Sequence, residues 1–387
     1  MRKGILRKIS KKFVVITNVG VALVFLLACL AYYANPVQYW YIAFLGFVFP
    51  YLLLLIIGYI VLWVLFKSKW CLLNLALLLI ASQNISAVFA FHAFAKAFNP
   101  IKKNTAIRVL HWNTMCFGED IKDRIEGSEL REKMLAYIKE NDADVLCFQE
   151  FYDSDLPEYN NNITYLTTQL HYPNYNYTKD YIRQKQNAEK TGYNNIGYLG
   201  TAIFTKLPVL DSGRIAFDSN DQKNKESIAF VDVLKDKDTI RIFSTHLQSI
   251  RLGRNDYGKI YEVKEGSEAG LQASKNVFAK VKNAYRYRKQ QAELVALQIE
   301  ASPYPVILTG DFNDVPNSYT YATIKHNMTD VYTATNFGIG RTFSAIAPTL
   351  RIDYMLVSKQ FEVLQAKKEN KNLSDHYPIV ADLEIKH

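Results

Sequence analysis

The sequence predicts an α/β sandwich of mixed sheets preceded by a multi-span transmembrane helical segment, and three observations lead there. The first is where the charge sits. The 387 residues hold 46 Lys and Arg against 37 Asp and Glu, yet nine of the basic residues and no acid fall within residues 1–98. The whole net charge of +9 therefore belongs to the front of the chain, and residues 99–387 are electroneutral. The second observation is that this front segment carries three long apolar stretches. The third is that the remainder shows many short strand-like runs and few, widely spaced helical patterns, which favours mixed sheets over a doubly wound fold. One uniform soluble domain and a disordered basic protein are both excluded. The back of the chain is long enough for one large domain with a substantial core.

The apolar stretches cover 13–33, 37–66 and 70–95. About 20 apolar residues cross a bilayer as a helix, so the first two qualify by length. Trp40, Tyr41 and Trp63 stand where interfacial anchors belong, and Pro50 is a kink that membrane helices tolerate. The third stretch is interrupted by Asn74, Gln83, Asn84 and His92, so its plainer alternative is an interfacial or half-buried helix. Six basic residues before the first span, and Lys67 with Lys69 after the second, mark the cytoplasmic side. Three spans place the large domain on the extracytoplasmic side, whereas two leave it in the cytoplasm; the charge pattern favours three. Leu26-Leu-Ala-Cys29 faintly resembles a lipoprotein processing site, but two further apolar stretches make lipidation unnecessary for anchoring. Cys29, Cys71, Cys116 and Cys147 show no C-x-x-C spacing, so buried free thiols are expected.

From residue 107 the hydrophobic period becomes two, with Ile107, Val109, His111 and Asn113 on one face. A helix is expected over 128–140, with Ser128 as N-cap and Leu130, Met134, Tyr137 and Ile138 as its apolar face. A short apolar run over 144–150 ends in Gln149-Glu150. The Tyr- and Asn-rich region 152–198 reads mostly as surface loop. Further strand-like runs cover 201–205, 228–234, 239–246, 305–311, 352–357 and 379–385. A long helix over 274–300 presents Val277, Val281, Ala284, Ala292, Val295 and Ile299 on one side.

Several of these runs end in, or begin from, polar residues of catalytic type, and strand ends are where an α/β scaffold gathers distant residues into one cleft. The inventory is Glu150, Asp311, Asp353 and Asp375, His246 and His376, and the amides Asn113 and Asn313. It includes no Ser or Cys nucleophile flanked by its own base. It suits metal-assisted attack of water on a phosphate ester, which needs carboxylates for a hard cation, a base for water, and donors around the transition state.

The blocks Asn113, Gln149-Glu150, Ser244-Thr-His-Leu247, Gly310-Asp-Phe-Asn313, Arg351-Ile-Asp-Tyr354 and Ser374-Asp-His376 together resemble the endonuclease/exonuclease/phosphatase superfamily. That group includes deoxyribonucleases, abasic-site endonucleases, sphingomyelinases and inositol polyphosphate phosphatases. The likeness runs from about Thr105 to the C-terminus, and six blocks in family order are specific although each alone is weak. It implies a four-layered α-β-β-α sandwich of two mixed sheets, so that residues 99–387 form a catalytic domain behind a membrane anchor of residues 1–98. It further implies that Glu150 ligates a divalent cation, magnesium or else manganese, with Asn113 beside it and Asp375 at the metal site. Asp311 would orient or deprotonate the attacking water, and Asn313 would help hold it and the phosphate. His246 and His376 would contact phosphate oxygens, and Asp353 would hydrogen-bond His376. The plainer alternatives are that Asn113 is a strand-end turn residue and Asp353 a structural partner of Arg351. His111 reads as a core or supporting histidine, His92 as interfacial and Asp330 as mainly structural. The substrate grip after Glu150 falls to Arg183 or one of several tyrosines.

The region 269–292 holds Lys275, Lys280, Lys282, Arg286, Arg288 and Lys289 with no acid, interleaved with Tyr285 and Tyr287. It could follow a polyanionic backbone or an anionic lipid surface, against the plainer alternative of a solvated helix face. The resulting expectation is a membrane-embedded phosphodiesterase acting on nucleic acid or phospholipid, with a nuclease foremost and no obligate protein partner. A lipid or small-molecule phosphoesterase is the alternative, and a catalytically silent scaffold comes last because it need not retain Asp311, Asn313 and His376 together.

Overall fold

The computed structural model describes residues 2–94, 96–119, 124–154, 161–185, 195–217, 225–250, 268–345 and 347–387. Four helices open the chain: α1 (Arg2–Leu30), α2 (Trp40–Leu65), α3 (Trp70–Ile80) and α4 (Ser82–Val88). Lys11–Leu30 and α2 are each long and apolar enough to cross a membrane. They pack on one another and on α3 through Phe25, Phe49, Ile56 and Leu77, with the Phe25 and Phe49 rings stacked at 5.3 Å.

The stretch expected as one span over 70–95 is not one helix. α3 and α4 meet at Ala81 with a bend of 64°, and the chain leaves helix after Val88 to form a two-residue strand, β1 (Ala90–Phe91). Asn84, one of the polar residues that interrupt the apolar pattern, donates from Nδ2 to Cys29 O at 3.0 Å and to Asn317 Oδ1 at 2.7 Å. A buried amide takes polar partners wherever they lie, and here they lie on α1 and on the following domain rather than along α3.

That domain has two sheets. One orders its strands β14–β15–β2–β3–β6–β4, with β5 also on β6; the other runs β11–β13–β10–β9–β8–β7. In the first are β2 (Ile107–Asn113), β3 (Val145–Ser154), β4 (Asn174–Tyr177), β5 (Tyr181–Lys185), β6 (Asn195–Thr205), β14 (Phe361–Lys368) and β15 (Ile379–Ile385). In the second are β7 (Val209–Ala216), β8 (Ser227–Lys235), β9 (Asp238–His246), β10 (Val306–Asp311), β11 (Thr329–Asp330) and β13 (Asp353–Val357). Both are mixed: β2 is parallel to β3 and β9 to β10, while their other neighbours run antiparallel.

The period-two pattern sends alternate residues to opposite faces and so builds two cores. Ile107, Val109, Val145 and Cys147 meet Val231, Ile242, Ile307 and Met355 between the sheets. Leu110, Trp112, Leu146 and Phe148 face outward onto Met134, Leu135 and Ile138 of α5 (Arg124–Asn141). On the other side, Phe243, Leu308 and Leu356 pack on Ala292 and Val295 of a long helix. After the one-turn α6 (Asn162–Thr164), that helix is α7 (Glu268–Glu300), followed by α8 (Tyr319–Lys325) and α9 (Val331–Thr335). Helix, sheet, sheet and helix are the four layers of an α-β-β-α sandwich. β12 (Phe337–Gly338) pairs with β1, so a short ribbon joins the N-terminal segment to the domain.

The region read as surface loop over 152–198 is in part sheet, since β3 continues through it and β4, β5 and the start of β6 lie within it. Leu166, Leu170 and Tyr172 bury apolar surface against the outer core, and amides add fixing points that carry no period. Asn176 Nδ2 donates to Gly213 O at 2.6 Å and Phe230 O at 2.9 Å, binding β4 to the opposite sheet. The rest of that region, at 155–160 and 186–194, lies outside the described residues.

Candidate active site

The strand order converts scattered motif residues into neighbours. Because β2 and β3 are parallel, Asn113, the last residue of β2, lies beside Gln149, where their pairing ends. Because β9 and β10 are parallel, His246 ends opposite Asp311, and antiparallel β13 begins with Asp353 against Asp311 on the other side. The two sheets are then tied at this same end. Gln149 Nε2 donates to Ser244 Oγ at 2.8 Å, and Asn113 Nδ2 donates to Asp311 Oδ2 at 3.1 Å and to Glu150 Oε1 at 3.3 Å.

Two backbone irregularities aim side chains into the cleft. The β3–β6 register shifts between Phe148 and Phe151, and Glu150 sits in this bulge with φ of 47°. A bulge re-aims a side chain that a regular strand would send into the core, and Glu150 is accordingly only half-buried. Asn313 likewise has φ of 52°, its N–H donating to Asp311 Oδ1 at 2.8 Å and its Nδ2 to Leu247 O at 3.0 Å. The left-handed region is unfavourable for most side chains, although Asn adopts it more readily.

Asp311 is the hub. Its Oδ2 lies 3.6 Å from His246 Nε2 and 3.7 Å from His376 Nε2. Burial, with Asp353 adding to it, raises the Asp311 pKa against the opposing pull of His376 and His246. His376 Nδ1 lies 2.9 Å from Asp353 Oδ2. Burial disfavours the charged ring, but Asp353 and Asp311 outweigh it and push the His376 pKa up to about 10. Burial would likewise raise Asp353, yet His376 and His111 hold it below the usual carboxylate range. Ser374 Oγ donates to Asn113 O at 2.9 Å, which seats the Ser374-Asp375-His376 block on the end of β2.

All eight residues singled out in the sequence therefore converge. Asp311, Asp353 and His376 each bring a ligand atom within 4.8 Å of the others, but Nδ1 of His376 is already engaged by Asp353, and the raised His376 pKa opposes a cation there. The oxygen donors better suited to a hard divalent ion are Glu150 and Asp375, both half-buried, with Asn113 beside Glu150. Burial keeps the Asp375 pKa above its usual value, and the Glu150 charge adds to this against His376. Carboxylates crowded in this way are relieved by a divalent cation, so the donor set fits one.

Other residues sort differently. The partner of Arg351 is Asp330, at 2.6 Å from Nη1 to Oδ2, and not Asp353. Asp330 also caps α9 through Tyr332 N at 2.9 Å and accepts from Tyr321 Oη at 2.8 Å, so its role is structural. His111 is buried, with Nε2 3.6 Å from Asp353 Oδ1, and is thus a second histidine beside Asp353. Arg183, Tyr181 and Ile182 line a cavity of about 390 Å³ together with Glu150 and His246. Asp180 and Glu226 line it too, and sequence inspection gave no signal for either. Asp180 is committed to Ser227 Oγ at 2.6 Å and Arg214 Nε at 3.0 Å.

Two sheets ending together in carboxylates, amides and histidines, with helices on both outer faces, define a phosphoesterase-type α/β sandwich. The chain belongs to the endonuclease/exonuclease/phosphatase family, whose sequence profile matches residues 110–376, and that family comprises hydrolases of phosphate esters. A domain of unknown function (DUF8431) matches residues 11–88. Among solved structures, an endonuclease/exonuclease/phosphatase from Beutenbergia cavernae DSM 12333 is similar at 17% identity and TM-score 0.50, covering 73% of this chain and 72% of that one. Two others are a D. rerio TDP2 complexed with single-strand DNA product, at 16% and 0.47 over 72% of this chain and 99% of that one, and sphingomyelinase C from Streptomyces griseocarneus, at 17% and 0.45 over 72% and 99%. No curated protein sequence matches the chain.

Proposed function

We propose that the protein is a membrane-anchored, divalent-metal-dependent phosphodiesterase, with residues 1–98 as anchor and 99–387 as catalytic domain. The observation that carries the reading is the convergence of Glu150, Asn113, Asp311, His246, Asp353 and His376 at one end of both sheets. Glu150, Asp375 and Asn113 would hold magnesium or manganese, which when bound neutralises phosphoryl oxygen charge. Asp311 orients the attacking water and accepts its proton; a pKa raised by burial makes it a stronger base than a solvated carboxylate. His376, kept protonated by Asp353, donates from Nε2 to a phosphate oxygen, and His246 does so from the other side of Asp311. Asn313 holds the turn after His246 through Leu247 O and so fixes both shoulders of the water site.

Anchoring and sidedness rest on how the domain meets the helices. Tyr32 near the end of α1 packs in the domain core, and Trp40, Ala43 and Phe47 at the start of α2 pack on Ile250, Val281 and Tyr285. The domain thus stands on the side of the α1–α2 connection, opposite Lys67 and Lys69. With basic residues inside, that side is extracytoplasmic.

Of the two phosphodiester classes, a phospholipid is favoured over nucleic acid. The segments 246–250, 311–317 and 349–353, which carry or adjoin His246, Asp311 and Asp353, rest against α2, α1 and α4, and this supports a cleft at the bilayer surface. The basic run of α7, which suits a polyanionic backbone or an anionic lipid surface, is partly spent inside the protein: Arg288 is buried 3.4 Å from Asp314, and Lys289 pairs with Glu293 at 2.7 Å. Nucleic acid stays the second reading on the strength of exposed Lys282 and Arg286. The test is the full chain in detergent with magnesium against sphingomyelin, glycerophospholipids, plasmid DNA, RNA and inositol phosphates. Hydrolysis that stops with chelator and returns with metal is expected; inertness toward every phosphodiester overturns the reading, and cleavage of nucleic acid alone overturns the lipid preference.

A further inference from the structure

Three N-terminal helices converge on one residue of the loop that follows Asp311. Asn317 is fully buried. Its Nδ2 donates to Ala28 O of α1 at 2.9 Å, and its Oδ1 accepts from Asn84 Nδ2 of α4 at 2.7 Å. On α2, a Cβ at Gly46 would come within 2.3 Å of the Asn317 carbonyl oxygen, so only glycine lets the loop lie this close. Asn84 is itself buried and also donates to Cys29 O at 3.0 Å, which binds α1, α4 and the loop into one junction.

Only three residues separate Asn317 from Asn313, and the intervening chain is held throughout. Asp314 accepts from Val315 N at 3.0 Å and Thr320 Oγ1 at 2.8 Å, and it faces the buried Arg288 guanidinium at 3.4 Å. Ser318 caps α8 by accepting from Tyr321 N at 3.2 Å. A segment fixed at so many points transmits a displacement instead of absorbing it. A second strut runs beside it, where Arg351 donates to Ala87 O of α4 two residues before Asp353.

We propose that the N-terminal helices are part of the catalytic scaffold, and that Gly46, Asn84 and Asn317 are positioning residues that set the loop which follows Asp311 and carries Asn313. The proposal rests on the phosphodiesterase reading. These residues act through the loop, and a misplacement of about 1 Å at a reacting group can cost about 100-fold in rate. Helices that served only as a tether would leave turnover indifferent to changes at this junction.

The test uses the full chain in lipid nanodiscs and three variants. Gly46→Ala puts a methyl against the Asn317 carbonyl, Asn84→Ala removes the donor to Asn317, and Gly58→Ala is the control on the same helix, since a Cβ there meets nothing within 4 Å. The first two should lower kcat about 10- to 100-fold with KM altered less than about 2-fold, and Gly58→Ala should match wild type. Hydrogen exchange should quicken at the amides of 311–317 in the first two variants while the strand amides stay protected. Wild-type kcat in both variants, an equal loss in Gly58→Ala, or faster exchange throughout the sheets overturns the proposal. If wild type hydrolyses no phosphodiester, the phosphodiesterase reading falls separately. Exchange at 311–317 then decides alone, and an unchanged rate there overturns the positioning role.

Discussion

His376 Nδ1 lies 2.9 Å from Asp353 Oδ2 with both side chains buried, while the other ring nitrogen faces Asp311 at 3.7 Å. The ring is thus held between two buried carboxylates, Asp353 on one nitrogen and Asp311 on the other. Asp353→Asn keeps the shape and removes the charge. It should lower kcat by about 100- to 10,000-fold, the range for loss of a positioned proton-transfer or donor group, and steady-state assays at pH 7 measure it.

The same pair makes a pH prediction. The folded-state pKa of His376, about 10, is above the usual value of 6.5. Its contribution to stability is therefore fully present below pH 6.5 and is lost as pH rises toward 10. NMR of the ring nitrogens should show imidazolium at pH 8 in wild type and a titration displaced toward neutrality in Asp353→Asn. A neutral ring at pH 8 in wild type would remove it as a charged donor.

Legibility in the sequence followed the physical origin of each feature. Strands buried on a face announce themselves by alternation, and 107–113 and 379–385 match β2 and β15 residue for residue. β4 and β5 do not, because they lie toward the edge of their sheet and are fixed partly by amides such as Asn176 reaching Gly213 and Phe230 on the other sheet, and amide bonding has no period. The candidate site residues stand out in the sequence because each polar group adjoins an abrupt end or start of an apolar run. Which ends adjoin depends on strand order, which one sequence does not show. Arg288 reads as one more surface cation because nothing near it in the chain reveals Asp314.

Glu150 sits half-buried in a β-bulge, with Asn113 Nδ2 at 3.3 Å as its polar neighbour. Glu150→Gln retains volume and hydrogen bonding but removes the charge that a hard cation requires. Manganese affinity, followed by electron paramagnetic resonance on the full chain, should weaken at least about 10-fold. Thermal stability without metal should not fall, since a half-exposed carboxylate contributes little to it. Unchanged manganese affinity would move the metal away from Glu150.

Arg351 and Asp330 form a buried pair at 2.6 Å, with Tyr321 Oη 2.8 Å from the same carboxylate oxygen. Removing one partner leaves an uncompensated charge in the core. Asp330→Ala should therefore cost about 3–5 kcal/mol of stability, read from chemical denaturation of the full chain in detergent. Because Arg351 also reaches Ala87 O, this variant should loosen the contact between domain and α4 before the sheets themselves unfold.

Sidedness can be read from two positions that should face opposite compartments. Gln38 lies in the α1–α2 connection, which abuts the domain, and Ser68 lies between Lys67 and Lys69 at the far end of α2. α2 contains 26 residues; at about 1.5 Å per residue it is longer than the roughly 30 Å hydrocarbon layer. One end must then stand clear of the apolar layer or the helix must tilt, and its first turns are the ones covered by Ile250, Val281 and Tyr285. In a Cys71→Ser background, a membrane-impermeant maleimide added outside intact cells should label Gln38→Cys and spare Ser68→Cys. Permeabilised cells should label both. Labelling of Ser68→Cys from outside would invert the topology and place the catalytic cleft in the cytoplasm, whereas labelling of both from outside would mean that α2 does not cross the bilayer.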